Sequence, residues 1–116
     1  MKTWKPNYRK YNNIRTRCSL GHYHPSKGES MYCQKLQLLV KAKEIESFEY
    51  EKRYPLVVKD KTIGNHKPDF TVTNNDGTET IHEFKGVMTA DWKLRKALCE
   101  VLYPDIEYKV VGQGDL

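Results

Sequence analysis

Two short runs carry the residue types for phosphate chemistry: Pro68-Asp69 and, further along, Glu83-Phe84-Lys85. The stretches Phe70 to Asn74 and Thr78 to Phe84 are rich in β-formers, and Asn75-Asp76-Gly77 separates them. Asn-Asp followed by Gly suits a type I turn closed by a left-handed Gly, the three-residue hairpin loop. In that register Asn74 opposes Thr78, and Asp69 falls directly opposite Glu83. Opposed residues share a face with Cβ atoms about 4.5–5.5 Å apart, and Lys85, two residues on, shares it too. Phe70, Val72, His82 and Phe84 take the other face, toward a core. Two opposed carboxylates repel unless a cation lies between them. Mg²⁺ (or Mn²⁺) would resolve the conflict, since Mg²⁺ favours oxygen ligands and keeps several waters. A bound metal lowers the pKa of its water and polarises a phosphate. Lys85 could orient that water or balance charge on the phosphate. The competing reading is a solvated strand face that alternates Glu and Lys.

A third acid comes from a helix. Ser26-Lys27-Gly28-Glu29 opens the longest helical stretch, Lys27 to Ile45, in which Tyr32, Leu36, Leu39 and Val40 follow the spacing of a buried stripe. Glu29 lies on or beside that stripe. Ser26 as N-cap with Glu29 at N3 makes a capping box, which accounts for the acid by itself. Alternatively Glu29 reaches across to Asp69 and Glu83.

An acid on a first helix, a Pro-Asp hairpin and then Glu-x-Lys resemble the PD-(D/E)XK, or restriction-endonuclease-like, nuclease superfamily. More narrowly, the chain resembles phage and prophage endonuclease-like domains, and more distantly the phage Holliday-junction resolvases. That match rests on Cys18-x-x-Gly-His-x-His-x-Ser-Lys-x-Glu29, Cys33-x-x-Leu-x-Leu-Leu, Glu44-Ile45, Pro68-Asp69-Phe70 and Glu83-Phe84-Lys85-Gly86, and covers about Cys18 to Val111. The resemblance implies an α/β fold, a mixed sheet with two flanking helices in the order α-β-β-β-α-β. It implies a nuclease domain over residues 18–116 and Mg²⁺-dependent hydrolysis of DNA phosphodiesters. Asp69 and Glu83 would be metal ligands with the Phe84 backbone carbonyl; Lys85 would activate the water and Glu29 complete the site. Resolving a junction takes two active sites, which by analogy implies a homodimer. Related phage sequences often carry Gln-Pro where this chain has Glu51-Lys52, which puts any role of that Gln in doubt here.

The elements that must position these residues follow from pattern. Ile45 to Val58 reads as a long first strand with a break near Tyr54-Pro55, because Pro55 cannot donate to a ladder. Ile63 to Lys67 connects into the hairpin. Asp91 to Tyr103 reads as a second helix with an apolar stripe of Leu94, Ala97, Leu98 and Val101, Asp91 serving as N-cap or first-turn acid and Pro104 marking the end. Lys93, Arg95 and Lys96 on it could meet phosphates or form a solvated face. Glu107 to Val111 is the last strand, and Gly112 to Leu116 reads as a loose tail.

Cys18, His22, His24 and Cys33 offer two thiolates and two imidazoles, a set that suits tetrahedral Zn²⁺ although the spacing is no standard finger. A zinc there would pin the loop to the first helix. The alternatives are a core Cys33, loop histidines near DNA, or His22 and His24 serving as acid or base. Cys99 reads as a buried or half-buried free thiol. With three cysteines among 116 residues and a nuclease frame, a reducing cytoplasm fits better than a disulfide scaffold.

The chain carries a net charge of +5. Residues 1–17 hold Lys2, Lys5, Arg9, Lys10, Arg15 and Arg17 and no acid, so taking these six from +5 leaves about −1 for the rest. The basic character therefore belongs to an N-terminal arm, expected to be flexible, in which Trp4, Tyr8 and Tyr11 alternate with cations. That mixture suits DNA, cations for phosphates and rings for stacking; a solvated tail is the plainer reading. No apolar run reaches the ~18–20 residues of a membrane span, and the arm has no apolar core of a secretory signal. Three functions remain open: a metal-dependent endonuclease, a zinc-stabilised nucleic-acid-binding module without catalysis, and a partner-binding protein whose acids are only surface.

Overall fold

The computed structural model describes residues 16–17, 20–21, 23–24, 27–84 and 88–116. Short strands β1 (Thr16–Arg17) and β2 (Tyr23–His24) pair antiparallel. They are followed by helix α1 (Lys27–Lys41), then strands β3 (Ser47–Tyr50), β4 (Tyr54–Val58), β5 (Lys61–His66), β6 (Phe70–Thr73) and β7 (Glu79–Phe84). Helix α2 (Ala90–Leu102) and strand β8 (Glu107–Val111) complete the set. The main sheet has the order β3-β6-β7-β8, with β3, β6 and β7 successively antiparallel and β8 parallel to β7. The fold is therefore α/β, a mixed sheet with two helices, and α1-β3-β6-β7-α2-β8 repeats the expected order. The β4–β5 hairpin is inserted within it as a separate two-stranded sheet.

The expected single strand from Ile45 to Val58 is thus two strands in two sheets. The break falls at Glu51, whose φ of +54° turns the chain out of the sheet. Lys59 and Asp60 both adopt positive φ, +51° and +67°. Two such residues in succession make the primed turn that matches strand twist in a tight hairpin, so Ile63 to His66 belongs to a strand rather than a connector. Neither residue is the Gly or Asn that would have announced this turn.

Helix α1 ends at Lys41, short of the expected Ile45. Lys43 takes φ +62°, Glu44 N–H donates to the Leu39 carbonyl at 2.9 Å, and Lys43 N–H donates to that of Val40 at 3.0 Å. This is a Schellman stop built on Lys instead of Gly, and the Asn75 side-chain amide holds the Lys43 carbonyl at 2.9 Å.

The β6–β7 hairpin has the expected register. Phe70 pairs with His82 and Thr73 with Glu79. Gly77 closes the turn at φ +88°, with Gly77 N–H on the Asn74 carbonyl and Asn74 N–H on the Thr78 carbonyl. The alternation then splits the core into two layers. On one face Phe70 and Val72 pack with Tyr32, Cys33 and Leu36 of α1, Phe48, Tyr50, Phe84 and Val111 joining them. On the other, Ile81 packs with Tyr54, Leu56 and Cys99, supported by Leu98, Leu102, Tyr103 and Tyr108. His82 is on the α1 face, where the Tyr32 hydroxyl meets its Nδ1 at 2.6 Å; burial depresses its pKa to about 4, helped by Lys109 and Lys35.

Helix α2 is turned by about one residue, ~100°, from the expected stripe. Trp92 and Cys99 are its buried residues, whereas Leu94 is 62% and Val101 74% exposed. The bulk of Trp92 against the sheet decides the orientation. Its N-cap is Thr89, whose hydroxyl accepts from Trp92 N–H at 3.2 Å, and Asp91 is the first-turn acid. Cys99 is a buried free thiol, pushed up to about 11 mainly by burial. The tail is not loose: Gln113–Asp115 forms one 3-10 turn, held by Gly112 N–H on the Asp115 carboxylate at 2.9 Å and by the Lys35 ammonium on the Asp115 carbonyl. No helix among the described residues is long and apolar enough to cross a membrane.

The orientation of α2 has a direct thermodynamic consequence. Trp92→Ala is expected to cost about 3–5 kcal/mol of unfolding free energy, whereas Leu94→Ala stays within about 0.5 kcal/mol of the parent. Urea unfolding of both variants checks this; equal losses would return Leu94 to the core.

Candidate functional site

Three acids from three elements meet at one end of the main sheet. Asp69 stands immediately before β6, opposite the end of β7, and its Oδ2 accepts the Phe84 backbone N–H at 2.8 Å. That bond carries the hairpin ladder one step past its last β pair, from side chain to backbone. Pro68 before it is fully buried, so the approach to Asp69 is rigid.

Glu29 projects from the first turn of α1 and is 3% exposed. Its Oε2 accepts from the Tyr50 hydroxyl at 3.2 Å, and its carboxyl is in hydrogen-bond contact with Asp69. Of the two readings of this acid, the structure places it across the sheet end with the other acids. Ser26, the proposed partner in a capping box, lies outside the described residues. Burial raises the Glu29 pKa to about 7; the Tyr50 bond opposes this, the charge of Glu51 adds to it, the contact with Asp69 opposes it, and the charge of Glu83 adds to it.

Glu83 is also 3% exposed, on the α2 face. The Tyr108 hydroxyl donates to its Oε1, and His66 Nε2 stands 3.6 Å from the same oxygen. Burial works to raise this carboxyl, but donors from His66, Tyr108 and Trp92 outweigh it and hold the pKa below the ordinary value. Two acids of one cluster are thus driven apart: Glu83 is kept ionised, and Glu29 straddles neutrality. Such splitting is the pattern by which neighbouring carboxyls take different proton-transfer and charge roles.

Five contributors escape the sequence pattern. Glu51 stands where related sequences differ, and its N–H donates to the Asp69 carbonyl at 3.0 Å while its charge acts on Glu29. Tyr50 supplies the donor to Glu29. His66, Tyr108 and Trp92 supply the donors to Glu83. Tyr50 and Tyr108 had a weak signal, since each sits at the end or middle of a β-rich run, but His66 had none before the β4–β5 hairpin was known.

The other expected positions are distributed as follows. Lys85 lies outside the described residues, as do Cys18, His22 and Lys2, Lys5, Arg9, Lys10 and Arg15 of the basic arm. Arg17 is an exposed residue of β1, and His24 is placed on β2. Cys33 is 0% exposed within the α1 core, and Gln37 approaches its Sγ at 3.7 Å. On α2, Arg95 pairs with Asp91, and Lys96 pairs with Glu100 at 2.9 Å while lying over the Tyr108 ring at 4.7 Å.

Among the described residues no group of three or more His, Cys, Asp and Glu is already gathered to hold a metal ion. By donor chemistry the cluster nevertheless suits a hard divalent cation. It offers carboxylate oxygens from Asp69, Glu83 and Glu51, and the charges of Glu51 and Glu83 help push Glu29 up.

The chain belongs to the family described as protein of unknown function (DUF1064), whose model matches residues 8–114. No curated protein and no solved structure matches the chain.

The raised Glu29 pKa fixes the sign of a pH effect. Between the ordinary 4.5 and about 7 the folded chain holds a proton that the unfolded chain has lost. Stability therefore falls as pH rises through that window. Glu29→Gln, which keeps an acceptor for Tyr50, is expected to be more stable than the parent at pH 8 by roughly 1–3 kcal/mol, the gain shrinking toward pH 4.5. Chemical denaturation across pH in EDTA measures it; parallel profiles for the two proteins would refute the assignment.

Proposed function

We propose that this protein is a metal-dependent endonuclease that hydrolyses DNA phosphodiester bonds, with its site at the end of the β6–β7 hairpin. The observation that carries the reading is the convergence of Glu29, Asp69 and Glu83, from a helix and two strands, on one partly buried cluster with divergent pKa shifts. A protein with no use for such a cluster would be expected to disperse it, because buried like charges cost stability. The Glu83-Phe84-Lys85 run, next to Asp69 through the Phe84 N–H, matches the nuclease pattern that the sequence resembles.

In this reading Asp69, Glu83 and the Phe84 carbonyl would hold Mg²⁺ or Mn²⁺, which when bound supplies Lewis-acid polarisation of the phosphate and a water of lowered pKa. Asp69 is aimed by the Phe84 N–H, so its Oδ2 is held and its placement follows the hairpin. Glu83, whose donors hold its pKa below the ordinary value, contributes negative charge near neutral pH. Glu29, with a pKa of about 7, is matched to accept or return a proton near neutrality. Lys85 would orient the attacking water or meet charge on the phosphate. The cations of residues 1–17 would add phosphate contacts that weaken with salt. Branched DNA such as a Holliday junction is the substrate that the resemblance favours, cut by a homodimer in the host cytoplasm; zinc at Cys18, His22, His24 and Cys33 would be a structural addition.

The deciding experiment is cleavage of supercoiled plasmid and of a four-way junction with Mg²⁺ or Mn²⁺, against EDTA. Cleavage is expected with metal only, and Asp69→Ala and Lys85→Ala are each expected to lower the rate by about 10²-fold or more. Metal-independent cutting, or parental rates in Asp69→Ala, would remove the proposal. Binding of DNA without cleavage, lost on chelation of zinc, would favour a non-catalytic module instead.

A further inference from the structure

Glu83 is a carboxylate on the buried face of a sheet, and it is not held by chance contacts. The Tyr108 hydroxyl donates to Glu83 Oε1, and the same hydroxyl oxygen lies 2.6 Å from His66 Nε2. A tyrosine has one hydroxyl proton. With that proton committed to Glu83, the contact to His66 requires Nε2 to be the donor. The chain of donation is therefore His66 Nε2–H to Tyr108 O–H to Glu83 Oε1, and it fixes the imidazole tautomer. The other nitrogen, His66 Nδ1, is buried without a hydrogen-bond partner among the described residues, in a side chain only 2% exposed. The rings of His66 and Tyr108 are stacked at 6.0 Å and 28°, and Lys96 lies over the Tyr108 ring at 4.7 Å.

The covalent connection matters as much as the contacts. His66 ends β5, and Lys67-Pro68 leads directly to Asp69. Anchoring His66 beside Glu83 therefore ties the chain that delivers Asp69 to the strand that delivers Glu83. Tyr108 brings a third element, β8, to the same oxygen.

We infer that His66 and Tyr108 are positioning residues that set the Glu83 carboxylate, and through the His66–Asp69 segment its distance from Asp69, for binding a divalent cation. The inference rests on the nuclease reading of this site. Donors that orient a metal-binding carboxylate in this manner typically change metal affinity 10–100-fold when removed. A carboxylate needed only for folding would be fixed without regard to Asp69, and its donors would influence stability alone.

The test uses the full chain, with Mn²⁺ as the probe. Mn²⁺ affinity is measured by titration calorimetry without DNA, cleavage is resolved into kcat and KM, and unfolding is followed for each variant. Tyr108→Phe removes only the hydroxyl. It is expected to fold, to bind Mn²⁺ about 10-fold more weakly, and to lose kcat with KM for DNA unchanged, the loss diminishing at high Mn²⁺. His66→Gln, which keeps an N–H donor, is expected to retain more affinity than His66→Leu. Imidazole ¹⁵N shifts of the metal-free parent are expected to show the Nε2-protonated tautomer of His66. Parental Mn²⁺ affinity in Tyr108→Phe, with loss in Asp69→Ala, would overturn the inference and leave the nuclease reading standing. Parental Mn²⁺ affinity and cleavage in Asp69→Ala would overturn the reading itself and the inference with it. Should His66→Leu fail to fold, Tyr108→Phe and the tautomer still decide.

Discussion

The register of β6 against β7 is the constraint on which the site depends. In an antiparallel pair a slip of one residue sends every side chain to the opposite face. Here a slip would move Glu83 into the α1 core, and move Phe84 or His82 into the layer that contains Ile81 and Cys99. Two features hold the register. Gly77 at φ +88° sets the loop length, with the Asp76 carboxylate accepting the Thr78 N–H at 3.0 Å. At the other end the Asp69 side chain accepts the Phe84 N–H. The residue proposed for chemistry is thus itself one of the register pins, so the hairpin cannot shift without releasing Asp69. Between the pins, Phe70 and Val72 on one side and Ile81 on the other penalise any alternative pairing through lost burial.

The two buried acids draw on different environments because they lie on different faces. Glu83 enters the α2 layer, where the polar ends of His66, Tyr108 and Trp92 converge, and three donors there outweigh the cost of burial. Glu29 comes from the α1 layer, whose interior is aromatic and aliphatic. The Tyr50 hydroxyl donates to it there, but burial remains the dominant influence on its pKa. The divergence of their pKa values is thus a consequence of the layering and not of the acids themselves. It also explains why the cluster tolerates its own charge: at neutral pH one of its members is partly protonated, which reduces the repulsion among the rest.

Much of this was legible in the sequence, for reasons specific to each element. Asn75-Asp76-Gly77 names its own turn, so the register and the opposition of Asp69 to Glu83 could be read locally. The α1 stripe could be read because Tyr32 and Leu36 are large apolar residues one helical turn apart, and both are buried. The α2 stripe could not: Leu94 and Val101 are apolar at helical spacing, and only the third dimension shows that Trp92 takes the sheet. The β4–β5 hairpin was hidden because Lys59 and Asp60 hold left-handed conformations without a Gly or Asn to mark them. With the hairpin hidden, so was His66, whose role arises from a partner far away in the chain on β8.

The insertion of that hairpin accounts for how a small sheet can support a buried charged site. Four strands and two helices leave the end of β7 covered on the α1 side by Phe84, Tyr50 and Phe70. On the α2 side, the β4–β5 hairpin supplies the missing cover. Tyr54 and Leu56 fill the layer beside Ile81 and Cys99, and Tyr103 at the C-cap of α2 anchors the hairpin by donating to the Pro55 carbonyl at 2.8 Å. Tyr54 also meets Thr71 of β6 at 3.0 Å, which ties the inserted sheet to the main one. Once so fixed, β5 can end in a buried His66 whose position is set by packing and not by loop geometry. A charged group in a low-dielectric layer is stable only where its donors are preorganised. The hairpin provides one such donor directly and, by closing the layer, keeps water from competing for the others.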